Sequence, residues 1–411
     1  IEGQGNMTYD GPISGDSSRT LTLIAATTFS FGAGMNNSPF EGTFFMENSG
    51  GTFRCFGWNG SPLATFDLGE GTAVFAPRNR NTTIQMGALR GGPSTVLSGA
   101  TDGGQVDIPS GYSIGAKNLS TTFGGTIQDA AANRITFLTK VGTGTLTLTN
   151  ANIIYSGATT VSNGVLALAG EAGLTNSGTI NVVAPGSLSV SGRADNTLWL
   201  GAGGNAQTLA GDGTITGNVV VDFFAPVTIQ PGFANGTGVL TVTGDVTLNG
   251  NATTVMEVRT EGGPSADRLA AGTIMANGTL VITNIGNITG TNTFQLFSGN
   301  LVGTFNSVIT PVLEDVVFNT DNLYVDGTIT VMGPAGMDLT PTNLVFEVSD
   351  GNLTLSWPAS HIGWRLQVQT NSLDVGLSDN WVDIPEAIGT NQISFPIDQV
   401  NGTVFFRMIT P

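Results

Sequence analysis

Few residues in this sequence combine a reactive side chain with neighbours that could use it. One stretch, Gly111-Tyr112-Ser113-Ile114-Gly115, matches the spacing of a serine nucleophile elbow. Such an elbow needs a helix after the serine and a histidine to take the hydroxyl proton. The following Ala116-Lys117-Asn118-Leu119-Ser120 has no helical pattern, and the single histidine, His361, lies far along the chain beside Ile362 and Gly363. Glycoside hydrolysis needs two carboxylates about 5 to 10 Å apart across a groove. Asp195, Asp212, Asp222, Asp245, Glu257 and Glu261 mostly fall next to Gly or Asn, where acidic side chains cap turns. Cys55 is alone, so it forms no disulfide within the chain and reads as a small buried side chain. No Cys/His cluster offers zinc ligands, and the Asp-rich spacing of a calcium loop is missing. Gly201-Ala202-Gly203-Gly204-Asn205 reads as a turn, because no helix follows it to receive a dinucleotide. The sequence thus predicts no enzyme, no cofactor and no metal site.

The elements that would carry any site are short strands. Charged residues make up 10% of the 411 positions against 40% hydrophobic, with 59 Gly and 17 Pro. That composition suits a folded chain of stacked strands, whose side-chain ladders tolerate neutral polar groups and penalise like charges lying opposite one another. The net charge is -17, and Lys117 and Lys140 are the sole lysines. Phosphate binding needs clustered Lys or Arg, so nucleic acid is excluded as a partner, and an anionic membrane surface is disfavoured. No apolar run reaches the roughly 20 residues of a spanning helix. Ile1 suggests a processed end from which a targeting segment has been removed.

Between Phe123 and Gly170 the pattern is clearest. Leu146 and Leu148 alternate with Thr145, Thr147 and Thr149, the period of a strand with one buried face. Tyr155-Ser156-Gly157 turns the chain, Thr159-Thr160-Val161 begins another strand, and Asn163-Gly164 makes the next corner before Val165-Leu166-Ala167-Leu168. Short strands separated by corners, without room for helices, are the pattern of a parallel β-solenoid. Gly142-Thr143-Gly144-Thr145-Leu146-Thr147-Leu148, Asn152, Tyr155-Ser156-Gly157, Thr159-Thr160-Val161 and Gly164-Val165-Leu166 resemble the autotransporter-associated β-strand repeat. The close match covers Gly142 to Leu166. The resemblance implies a bacterial passenger-type protein, exported to the cell surface or beyond, and implies a scaffold without a particular activity.

The expected fold is all-β: a parallel right-handed β-solenoid (β-helix) followed by a small antiparallel β-sandwich. Residues 1–16 are an N-terminal extended arm or edge strand, 17–332 the solenoid, 333–336 a linker and 337–411 the sandwich module. At about 20 to 30 residues per coil, the solenoid has roughly a dozen coils. Thr328-Ile329-Thr330-Val331 reads as its last strand. Residues 17–75, rich in Phe, are aromatic first coils or a cap, with the rings filling the core or forming a carbohydrate-binding face. In 337–411 the Leu355-Ser356-Trp357-Pro358 run, Trp364 and the closing Phe405-Phe406-Arg407 strand are similar to fibronectin-like C-terminal modules of exported bacterial repeat proteins. Two non-enzymatic functions follow, the structural one as the main reading, with a carbohydrate-active β-helix enzyme ranked behind both. One is a structural filament, sheath or surface layer, the chain pairing with itself through solenoid ends, the module or an arm carrying Ile1, Met7, Tyr9 and Ile13. The other is a surface adhesin whose aromatics, with Trp58, Trp364 and Trp381 as candidates, contact glycans.

Overall fold

The computed structural model describes residues 1–410 other than 4, 48–49, 79–81, 102–108, 261–262, 264, 287, 289, 315, 334–339, 373 and 399–401. Of the expected linker 333–336, all but Gly333 lies outside the described residues. The chain divides into two compact units. The first comprises Ile1–Val255, Asp267–Val281 and Ser298–Val308, and the second Met256–Ala266, Ile282–Phe297 and Ile309–Pro411.

The first unit is a parallel β-solenoid. Leucines placed by the two-residue period stack coil upon coil: Leu146 pairs in register with Leu166, Leu166 with Leu188, Leu188 with Ile215, and Ile215 with Val242. All five are buried. A second buried ladder runs through the long sheet from Ile84 through Tyr112, Leu138, Thr159, Ile180 and Leu209 to Ile229. Each aliphatic rung contributes about 1.5–3 kcal/mol through burial, so the stack holds by summation and no single contact dominates. The outward residues of the same strands, Thr122, Thr147, Ala167, Ser189 and Thr216, also stack in register and are small or polar.

Corners need groups that close backbone turns. At Gly142 the backbone has φ +67°, and a Cβ there would fall 2.0 Å from the carbonyl oxygen of Gly115 on the neighbouring coil. Asn118, itself at φ 60°, accepts the Thr143 amide at 2.8 Å. Lys140 is fully buried and donates from Nζ to the carbonyls of Val141 (2.7 Å), Gly142 (2.8 Å) and Asn163 (3.2 Å). It thereby ties the corner of one coil to the next.

Aromatic rings fill the first coils. Phe29, Phe53 and Phe75 form one in-register ladder, and Leu21, Phe44, Phe66 and Leu89 another. The start of the chain belongs to these coils. Glu2–Gly3 pairs in parallel with Ile24–Ala25, and Met7–Tyr9 with Phe29–Phe31. The Ile1 ammonium donates to Thr22 O at 2.9 Å, and the Ile13 amide donates to Ser38 Oγ at 2.9 Å.

The second unit takes in the ends of two coil strands, Ala252–Arg259 and Thr279–Asn284, and is otherwise built of antiparallel sheets. Thr328–Met332 lies between Thr291–Gln295 and Val317–Asn319 in a three-stranded antiparallel sheet. The strand expected to close the solenoid therefore pairs in a different way from the coils. Towards the C-terminus two further three-stranded antiparallel sheets form the sandwich module: Val345–Ser349, Asn352–Ser356 and Gln392–Pro396, then Val382–Asp383, Arg365–Asn371 and Thr403–Ile409. Leu355, Trp357, Leu366 and Ala387 make its buried cluster.

Candidate functional site

The residues with catalytic potential are engaged in structure. Ser113 lies within the strand Ser110–Ile114, paired on both sides to Gln85 and Thr139, and a turn rather than a helix follows it. The motif's glycines have packing reasons instead. A Cβ on Gly111 would fall 1.8 Å from the Phe137 ring, and Gly115 adopts φ +121° at a corner. His361, in the second unit, is buried against Trp364 with ring centroids 4.9 Å apart. Its Nε2 meets Thr340 O at 2.7 Å, and since a carbonyl only accepts, that nitrogen carries the proton and Nδ1 accepts from the Ser360 hydroxyl at 3.0 Å. Cys55 is buried, and loss of solvation pushes its thiol well above the ordinary range, which disfavours the reactive thiolate.

Several of the acids close corners, while Glu257 lies buried within the strand Ala252–Arg259. Asp212 accepts the Ala184 amide at 2.8 Å, Asp222 the Phe223 amide at 2.6 Å and Asp245 the Thr273 amide at 2.7 Å. Glu261 lies outside the described residues.

The aromatics divide by exposure. Trp58 is 1% exposed, packed on Phe31 at 4.9 Å and stacked on Phe66 at 5.6 Å. Trp364 is buried beside His361. Trp381 is half-buried, with the Arg407 guanidinium 4.2 Å from its ring centroid. Of the four arm candidates, Ile1 is exposed, while Met7, Tyr9 and Ile13 are half-buried in the first coils.

The arrangement best suited to hold a ligand surrounds a tryptophan that the sequence reading passed over. In Thr197–Leu200, Leu198 and Leu200 point inward, so the alternation turns Trp199 outward, where it is 37% exposed. That phase was legible in the sequence. Its indole Nε1 donates to Asp195 Oδ2 at 2.8 Å. Asp195 also receives Arg193 through a two-pronged contact, Nε to Oδ1 at 3.0 Å and Nη2 to Oδ2 at 3.1 Å, and the Thr197 amide at 3.2 Å. Four donors fill its lone pairs and hold the carboxyl down at about 2, chiefly through Arg193 and then the Trp199 and Thr197 hydrogen bonds. Arg193 further donates from Nη1 to the carbonyl of Ala172. Ring and guanidinium are therefore both held by one carboxylate.

Beside them opens a cleft of about 170 Å³, lined among others by Leu168, Leu174, Glu171, Thr175, Arg193 and Trp199. Along the same outward register, Trp199 is followed by Val220, Thr247 and Met275, and Phe223 and Phe224 project at 75% and 76% exposure from the corner after Val221. Among the described residues no group of three His, Cys, Asp or Glu is placed to hold a metal ion, and no helix is long and apolar enough to cross a membrane.

Residues 138–168 match the passenger-associated-transport-repeat family. The matched span takes in the Leu146–Leu166 ladder and the Lys140 corner. The chain is also similar to the adhesin BmaC autotransporter of Brucella suis biovar 1 (strain 1330), 32% identical over 193 residues, or 45% of this chain. The aligned part spans 5% of that relative's length.

Proposed function

We propose that this chain is part of a non-enzymatic passenger displayed at a bacterial cell surface, where it serves as an adhesin for surface glycans. The passenger-type repeat at residues 138–168 and the similarity to an autotransporter adhesin support this reading over a self-assembling filament. The observation that carries it is Trp199, a large aromatic turned outward by the alternation of its solenoid strand and fixed there by the Asp195 carboxylate. A solenoid is a rigid, repetitive support, and binding residues on such a support lose little conformational entropy when a ligand arrives.

The test is adhesion by the purified chain. Beads coated with it should attach to glycosylated cell surfaces and lose attachment when those glycans are enzymatically stripped. Attachment no better than beads coated with an inert protein would overturn the reading.

A further inference from the structure

We propose that the cleft beside Trp199 binds one neutral pyranose residue, stacked on the indole and hydrogen-bonded by Arg193 and Glu171. This deepens the adhesin reading and rests on it for biological context, although the binding itself does not. Three features lead to the ligand class.

Size comes first. At about 170 Å³ the cleft is well below the roughly 300 Å³ at which pockets for drug-sized ligands begin, so it admits one ring and not a buried chain. Leu168 and Leu174 line it together with Trp199, whose indole is already fixed by the Asp195 bond. A pyranose offers a patch of C–H groups to such a face while its hydroxyls project to the sides, so an amphipathic platform suits it.

Hydrogen-bonding capacity comes next. Of the five N–H donors of Arg193, three are taken, by Asp195 twice and by the Ala172 carbonyl once. Two remain. Asp195 is saturated and acts as a positioning residue for both partners. Glu171, by contrast, is exposed at the cleft and makes no hydrogen bond or ion pair with any described residue. The cleft thus presents both free donors and a free acceptor, the combination a hydroxyl satisfies. A cationic group could pair with Glu171, but it offers the Arg193 N–H groups no acceptor and is repelled by the guanidinium.

Charge decides between neutral and acidic sugars. Arg193 is neutralised by Asp195, which leaves Glu171 to set a negative local charge. A sugar carboxylate would enter against that charge with no unpaired cation to receive it.

The experiment is ligand-observed NMR and calorimetry on the full chain, using neutral methyl hexopyranosides and neutral oligosaccharides, with glucuronic acid, N-acetylneuraminic acid and choline as contrasting probes. Neutral saccharide should bind in the millimolar range, as expected for a single shallow subsite. Trp199→Ala should weaken binding at least tenfold, Trp199→Phe should retain most of it, and Glu171→Gln should weaken it several-fold while narrowing the preference over acidic sugars. Undiminished binding by Trp199→Ala, stronger binding of the acidic sugars or choline, or no neutral-saccharide binding by the intact chain would each overturn the proposal. If the alanine variant fails to fold, Trp199→Leu, which keeps apolar bulk and removes the aromatic face, takes its place and should weaken binding by as much. Saccharide binding in solution without cell attachment would sink the adhesin reading and leave the site standing; cell attachment without saccharide binding in solution would do the reverse.

Discussion

Trp58 and Trp199 belong to the same solenoid unit, yet they stand on opposite sides of its wall. Trp58 sits in coils where Phe29, Phe53, Phe66 and Phe75 already fill the interior, and its ring is one more piece of that packing. Trp199 sits in coils filled by Leu, Ile and Val, which close the core without it and leave the ring outside. An aromatic-rich stretch is therefore a poor guide to a binding face. In this architecture the phase of a residue within its strand decides what it does, and residue type comes second. The two tryptophans also differ in their polar atom. Trp199 Nε1 is bonded to Asp195, whereas the buried Nε1 of Trp58 has no acceptor among the described residues.

The sharpest way to break this comparison is to truncate both rings. Trp58→Ala should destabilise the chain by about 3–5 kcal/mol, the cost of a large buried cavity. Trp199→Ala should cost less than about 1 kcal/mol, as expected of a surface substitution. Denaturant titration of both variants checks this, and comparable losses would mean that Trp199 supports the wall and is not a surface fixture. Trp58→Phe refines the contrast: it removes volume together with an unsatisfied donor, so its loss should be clearly smaller than that of Trp58→Ala.

A second contrast sets this aromatic core against the corner of the repeat coils. Lys140→Ala leaves three carbonyls without their donor and should cost about 1–3 kcal/mol. Burial lowers the Lys140 ammonium from its ordinary 10.5 to about 8. A lysine whose folded value is lowered sheds its proton in the folded chain before the unfolded one. Between about pH 8 and 10.5 the unfolded chain holds more protons, so this group's contribution to stability rises with pH across that window. The denaturation midpoint of the natural chain minus that of Lys140→Ala, followed from pH 7 to 10.5, should rise. A flat difference would place the ammonium in contact with water.

Much of the fold was legible because period 2 is a strong signal. Thr145-Leu146-Thr147-Leu148 shows its buried face in four residues, and Gly142 marks a corner where a side chain has no room. What period 2 does not encode is the partner. Thr328-Ile329-Thr330-Val331 alternates in residue type as a coil strand does, and its antiparallel pairing with Thr291–Gln295 is set by contacts remote in sequence. The cleft was hidden for a related reason. Its residues come from successive coils, around Leu168–Thr175 and Arg193–Trp199, and they converge because one coil lies beside the next. Coil length drifts along the chain, with Leu166 and Leu188 in register 22 positions apart and Leu188 and Ile215 27 apart, so no fixed repeat reveals which residues meet.

The finest test concerns how Trp199 is held. Asp195 binds both the indole and Arg193, and its carboxyl lies at about 2 against an ordinary 3.8. A carboxylate with a lowered folded value contributes fully above its ordinary value, and the contribution is lost as pH falls from about 3.8 through about 2. Its side chain is 39% exposed, so the effect on global stability should be slight, and Asp195→Asn should cost under about 1 kcal/mol. The local effect should be plain. Emission from Trp199, isolated by subtracting the spectrum of Trp199→Phe, should hold steady from pH 7 to 4 and then change as Asp195 takes up its proton. Asp195→Asn should show the altered emission at neutral pH, because an amide accepts one pair of donors where the carboxylate accepted two. A Trp199 spectrum unchanged at pH 2 and in Asp195→Asn would mean that packing against the coil below holds the ring, and the difference from Trp58 would then be one of exposure alone.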